Sequence, residues 1–273
     1  SKASSTPRSG IYNSSSNTTG IPLLIPHGFS ISVFAENLPG ARVILFDNFK
    51  NMLVSQTSNG SISLIEISDG NVNNKYELFT NLKNPHGLAM KENSFGLLYF
   101  AEEDKISKVT LYSDDSITKI ASLPSGGNHK TRTINFGPDE RLYVSIGSSC
   151  NVCNENDEKR AKIFSMLPDG TDFKEFAKGL RNSVFFTWHP VTKKMWATEM
   201  GRDLLGNNLP PEEINIIEEN GNYGWPNCYG KNIHDTNFDK NTYIRNPCLE
   251  PFERESNIEM PAHSAPLGIA FLN

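Results

Sequence analysis

The sequence predicts an all-β fold built from four-stranded blades around a central channel, and three observations carry that expectation. One pattern recurs, an apolar approach followed by a turn and a second strand run. It stands at 41–46 before 51–55, at 84–89 before 96–101, at 135–136 before 142–146, at 181–186 before 194–199, and again from His263 to Phe271. The starts fall roughly 43, 51, 46 and 82 residues apart, near a propeller-blade period of about 40–50 residues except at the last gap. Almost no segment has the apolar period of a helix. Asn, Ser, 20 Gly and 16 Pro supply the turns that short strands need.

Taken in order, residues 1–20 are Ser/Thr/Asn-rich without periodicity and read as a disordered tail or a linker from an anchor. The propeller domain is expected over 21–273, as about four blades and the start of a fifth. Residues 28–34 alternate as a strand and Asn37-Leu38-Pro39-Gly40 closes it. Residues 61–67 alternate again, Ser68-Asp69-Gly70 turns, and 76–79 leads to His86, read as a structural histidine at a blade corner. Residues 104–109 and 117–120 finish that blade. Gly126-Gly127-Asn128-His129 then gives a flexible entry and one imidazole ahead of an inner strand. Gly137-Pro138-Asp139-Glu140 is turn chemistry, and Leu142-Tyr143-Val144-Ser145-Ile146 is a strand run. The oxygen-rich run 148–158 lacks EF-hand spacing and reads as a solvated loop. Residues 161–166 with Pro168-Asp169-Gly170 form a strand and turn, and Trp188, Pro190 and Trp196 belong to the next blade. Residues 212–217 resume the strand pattern, 221–226 close it, and 227–262 form an insertion.

A residue just ahead of an inner strand points at whatever the blades surround, so His129 and Arg181 are expected near the channel mouth. Net charge is −5, and no Lys/Arg cluster exceeds a pair, which argues against a nucleic-acid surface. Mean hydropathy is −0.43, and no apolar run approaches the roughly 20 residues of a membrane helix. Residue 1 is Ser, which is expected of a chain that has lost a leader. The four cysteines fall as two local pairs, Cys150/Cys153 and Cys228/Cys248. The second spacing is too wide for a zinc site, and Asn154 after Cys153 breaks the haem signature. Two disulfides in an oxidising compartment are expected, the second stapling 227–262.

These residues resemble the glucose/sorbosone dehydrogenases. The likeness rests on Gly126-Gly127-Asn128-His129 with Phe136-Gly137-Pro138-Asp139, then Gly179-Leu180-Arg181-Asn182, Thr198-Glu199-Met200-Gly201 and Gly221-Asn222-Tyr223-Gly224-Trp225-Pro226-Asn227, in order and register. His263-Ser264-Ala265-Pro266-Leu267-Gly268 and the Cys150/Cys153 loop are similar to the sorbosone-type branch. The resemblance runs from about residue 28 to the end. It implies a six-bladed β-propeller that uses pyrroloquinoline quinone (PQQ) and calcium to oxidise a sugar, with an external electron acceptor. On that pattern His129 is the catalytic base. Arg181 and Asn182 hold the quinone and its reactive carbonyl, Arg181 also acting in catalysis. Gly201 and Arg202 give main-chain oxygens to Ca2+. This sequence departs from the soluble glucose branch at Asn128 (Asp there), at Ser183 (Pro) and at Arg202 (Pro). It ends within what looks like a fifth blade, before the family's further basic cofactor contacts, so the propeller is expected to be C-terminally incomplete here.

The chemistry agrees without the name. Oxidising a sugar hydroxyl needs a base, which histidine suits, and a hydride acceptor, which no side chain can be. No Gly-x-Gly-x-x-Gly lies between a strand and a helix, which argues against a Rossmann nicotinamide site. A quinone bearing three carboxylates wants Arg and a hard cation. Two other functions are weighed: a non-catalytic cell-surface propeller binding glycan or protein, and a metal-dependent sugar lactonase, for which Glu199 is the one evident channel carboxylate. The expected location is extracytoplasmic.

Overall fold

The computed structural model describes residues 16–91, 93–251 and 253–272, and every helix or strand element among them is a β-strand. Four sheets form the blades. Blade 1 holds Ala41–Phe46, Met52–Gln56, Ser61–Ser68 and Asn71–Phe79; blade 2 holds Leu88–Met90, Leu97–Ala101, Lys105–Thr110 and Thr118–Ser122. Blade 3 holds Ile134–Phe136, Leu142–Ile146, Lys162–Met166 and Lys174–Lys178; blade 4 holds Phe186–Trp188, Met195–Glu199, Glu212–Ile217 and Ile258–Met260. The four strands of each blade pair antiparallel in that order. The first strands of blades 1, 2 and 3 lie against one another and so form the inner wall.

The core lies between blades, face against face. Strand Leu142–Ile146 shows why: all five of its residues are buried, because both faces are covered. Alternation sends Leu142, Val144 and Ile146 toward blade 2, where they meet Tyr99, Ala101 and Ile106. Tyr143 points the other way, to Phe186, Met195 and Ala197 of blade 4. Leu53, Ile62 and Leu64 of blade 1 pack likewise on Leu98, Phe100 and Val109 of blade 2.

Several expectations need correcting or completing. Residues 221–226 do not close blade 4. Gly221–Asn222 pairs in parallel with Lys174–Lys178 at the outer edge of blade 3. Tyr223 is the reason, since its ring is buried between blades 3 and 4. Its hydroxyl donates to the Ile216 carbonyl at 2.6 Å and accepts from the Glu218 N–H at 2.8 Å. Ile258–Met260, inside the stretch 227–262, supplies the fourth strand of blade 4 instead. In 28–34 only Ser30–Ile31 is regular, paired in parallel with Ser16–Asn17. Phe29 and Val33 stay exposed there, so the alternation has no layer to bury it. Of the tail 1–20, residues 1–15 lie outside the described residues. Both expected disulfides, Cys150–Cys153 and Cys228–Cys248, are present.

Candidate active site

Strand register brings the chemistry to one mouth. In an antiparallel pair, the residues before the first strand lie beside those after the second. In blade 3 the Ser145 N–H donates to the Thr133 carbonyl, which sets His129 beside Ser148. In blade 4 the Thr198 N–H donates to Phe185 and the Met200 N–H to Asn182, which sets Asn182 beside Met200. The two blades are then tied together, because the Ser148 N–H donates to the Arg181 carbonyl at 2.7 Å.

His129 is half-buried, with Nδ1 2.9 Å from both the carbonyl and the hydroxyl oxygen of Ser148. A carbonyl only accepts, and the Ser148 hydroxyl gives its own proton to the Cys150 carbonyl at 2.7 Å. Nδ1 is therefore the protonated nitrogen, and the basic lone pair sits on Nε2. Among the described residues no hydrogen bond ends on that Nε2. Burial, then the positive charge of Arg181, hold the imidazole down to about 4, with Arg132 and Arg160 adding to the effect. The ring is neutral at pH 7.

Glycines make room for this arrangement. Gly127 has φ +77°, and a Cβ there would stand 2.7 Å from the Ser149 backbone. A Cβ on Gly147 would stand 2.6 Å from His129 Cβ and 2.8 Å from Asn182 Oδ1. The His129 and Asn182 side chains therefore flank one point, and only glycine leaves it open.

Arg181 is buried, which lowers its pKa. Its Nε–H donates to the Asn151 carbonyl at 2.8 Å, Nη1–H to the Met200 carbonyl at 3.1 Å, and Nη2–H to Asn151 Oδ1 at 3.0 Å. Asp203 stands 3.5 Å away. The Asn182 N–H donates to Glu199 at 2.7 Å. Gly201 and Arg202 follow Met200 directly. The Gly201 N–H donates to Glu212 at 2.8 Å, and the Arg202 guanidinium forms a two-pronged pair with buried Asp235 from the inserted segment. Among the described residues no hydrogen bond ends on the Gly201 or Arg202 carbonyl. Together they border a small cavity of about 30 Å³, also lined by Arg181, Glu199 and Glu213.

Glu199, the evident channel carboxylate, is buried and accepts from both Ser183 and Asn182. Burial pushes it up to about 8. It braces the Asn182 main chain and the Ser183 hydroxyl. Among the described residues the one group with metal-ligand spacing is Cys150, Cys153 and Glu155, and its sulfurs are joined in a disulfide.

Four residues escaped the sequence reading. Ser148 is fully buried and Asn151 half-buried, although 148–158 was expected to be a solvated loop. Arg132 is fully buried and donates to the carbonyls of Pro124, His129 and Thr131. Arg160 donates to the Gly126 carbonyl at 2.8 Å. All four act through backbone carbonyls or on them. The nearest sequence signal was their position, within or just after the Gly126–Gly147 stretch.

The chain belongs to the TrAA12-like family, whose model matches residues 23–273. An uncharacterized protein of Borreliella burgdorferi is 31% identical over 91% of this chain and 67% of its own length. A PQQ-dependent sugar dehydrogenase of Hypocrea jecorina is 25% identical over 74% of this chain, which spans 56% of that protein. Among solved structures, the calcium structure of the Trichoderma reesei carbohydrate-active enzyme of family AA12 superposes with a TM-score of 0.74. It is 22% identical and covers 86% of this chain and 71% of its own.

Proposed function

We propose that this TrAA12-like chain belongs to a quinoprotein that oxidises a hydroxyl of an aldose sugar, with PQQ and Ca2+ as cofactors. The observation that carries the reading is the hydrogen bonding of His129: Nδ1–H is held by Ser148, among the described residues no hydrogen bond ends on the basic Nε2, and the side chain shares the Gly147 cradle with Asn182 under the charge of Arg181. The residues fit the cofactors. Arg181, Arg132 and Arg160 all bear on the site with positive charge, as a ligand with three carboxylates requires. The Gly147 cradle leaves space that any side chain would fill. The Gly201 and Arg202 carbonyls, without hydrogen bonds, are hard oxygen donors of the kind calcium takes. Bound PQQ supplies the hydride acceptor.

The chain's own residues do the rest. His129 Nε2 takes the proton of the sugar hydroxyl, and Ser148 keeps the ring in the tautomer that can do so. Arg181 and Asn182 orient the cofactor and stabilise negative charge on its oxygens. A base held near 4, by burial first and by Arg181 second, is weak, and an anion bound against Arg181 offsets the second of these causes. Glu199 braces Asn182. The propeller is read as six-bladed, with four blades among the described residues. The two disulfides support an extracytoplasmic location; no helix among the described residues is long and apolar enough to cross a membrane.

The test reconstitutes the full-length protein with PQQ and Ca2+, an aldose and an artificial electron acceptor. Turnover that needs both cofactors is expected, and Arg181→Ala should weaken PQQ binding and turnover together, by about 3 kcal/mol. Glycan binding without turnover, or lactone hydrolysis that is indifferent to PQQ, overturns the reading.

A further inference from the structure

We propose that the short loop 148–153, closed by the Cys150–Cys153 disulfide, positions base and cation of the site together, with Asn151 as the positioning residue for Arg181. The inference rests on the roles given above to His129 and Arg181, but its structural core can be tested without them. Asn151 stands between the two half-cystines. Its carbonyl accepts the Arg181 Nε–H at 2.8 Å, and its Oδ1 accepts Nη2–H at 3.0 Å. Its side chain also bridges to Asp203, accepting that residue's N–H at 2.8 Å and donating to its carbonyl at 3.1 Å. Every polar atom of the amide is thus engaged in fixing Arg181 and its acidic neighbour.

The same loop holds the histidine. The Cys150 carbonyl takes the Ser148 hydroxyl proton, which forces that hydroxyl to accept from His129 Nδ1. The covalent closure spans only four residues. A ring that short adds little to the stability of the whole fold, so its effect is local. It confines Cys150 and Asn151, the two residues whose oxygens define the donor geometry of His129 and Arg181. A guanidinium carries five N–H groups. The loop and Met200 engage three of them in fixed directions, and the Asp203 carboxylate stands 3.5 Å from Nη2.

The experiment follows the Arg181 side-chain Nε–H by proton–nitrogen NMR of the full chain, assigned with Arg181→Lys. Wild type should give a distinct, slowly exchanging signal. In the Cys150→Ser/Cys153→Ser double variant its exchange should quicken at least tenfold, and in Asn151→Ala, which keeps the main-chain acceptor of Nε–H but removes the Oδ1 anchor of Nη2–H, by a smaller factor above twofold, while the amides of 142–146 stay unchanged. Asn151→Asp keeps an oxygen acceptor and should restore slow exchange. The PQQ dissociation constant should rise at least tenfold in the first two variants and recover in the third. Exchange within twofold of wild type in both the double variant and Asn151→Ala overturns the proposal. If the Arg181 signal responds as expected but wild type binds no PQQ, the loop assignment stands and the functional reading fails.

Discussion

His86 stands two residues ahead of the inner strand of blade 2 and His129 five residues ahead of that of blade 3, and their surroundings differ. His86 is fully buried and packs on Phe185 with ring centroids 5.3 Å apart. Its Nδ1 lies 3.4 Å from the Thr133 hydroxyl, whose proton goes to the Val184 carbonyl, and among the described residues its Nε2 has no hydrogen-bond partner. Burial holds it down to about 3. His129 is also depressed, but one nitrogen is saturated by Ser148 and the other faces no protein partner. A depressed pKa therefore does not separate a working histidine from a packing one. The separation lies in which nitrogen is held, by what, and what the other can reach.

The largest expected effect breaks the pair apart. In reconstituted full-length enzyme, His129→Ala should lower kcat about 10²–10⁴-fold with PQQ binding retained. His86→Ala should leave kcat within about threefold and instead lower stability by about 2 kcal/mol through the cavity it opens. Denaturant titration and steady-state kinetics on both variants check this, and equal kinetic losses would erase the distinction drawn here.

A smaller effect is expected at the point His129 shares with Asn182. Gly147→Ala sets a methyl group 2.6 Å from His129 Cβ, and overpacking of this kind costs about 1–3 kcal/mol. The loss should appear as weaker PQQ binding and a lower unfolding midpoint, while Gly126→Ala, with open space around it, should show only the strain of its positive φ.

The smallest effect concerns pH. Both histidines have folded pKa values below the ordinary 6.5, so the unfolded chain binds more protons and stability falls as pH drops below about 6.5, toward 4 for His129 and 3 for His86. Glu199 works in the opposite direction. Its folded pKa is raised from 4.5 to about 8, so the folded chain binds the extra proton and stability falls as pH rises from 4.5 to 8. Glu199→Gln mimics the protonated acid and should flatten that alkaline decline, leaving the acid limb unchanged. Unfolding midpoints measured from pH 4 to pH 8 would show whether it does.

The blades were legible because a strand buried on both faces writes a near-continuous apolar run, as in 142–146, and because the run recurs. The disulfides were legible from local spacing. The edges were not. Gly221–Asn222 leaves blade 4 for the edge of blade 3, and Ile258–Met260, expected within an insertion, closes blade 4 instead, because one aromatic ring, Tyr223, docks between blades 3 and 4 and carries its strand to the earlier blade. At the mouth, His129, Arg181 and Asn182 could be named from motif order, and the structure brings all three together. Ser148, Asn151, Arg132 and Arg160 could not, since they work largely through main-chain carbonyls, which every residue has and which leave no mark on side-chain chemistry. The loop 148–158 misled for a related reason: its polar composition suits solvent equally well, and only the tertiary fold turns Ser148 and Asn151 inward.

The claim on which the rest depends is the state of the His129 ring, and long-range proton–nitrogen correlation on selectively labelled histidine reads it directly. At pH 7 the account predicts a neutral imidazole with the proton on Nδ1 and a bare Nε2. A proton on Nε2, or a doubly protonated ring at that pH, would contradict it.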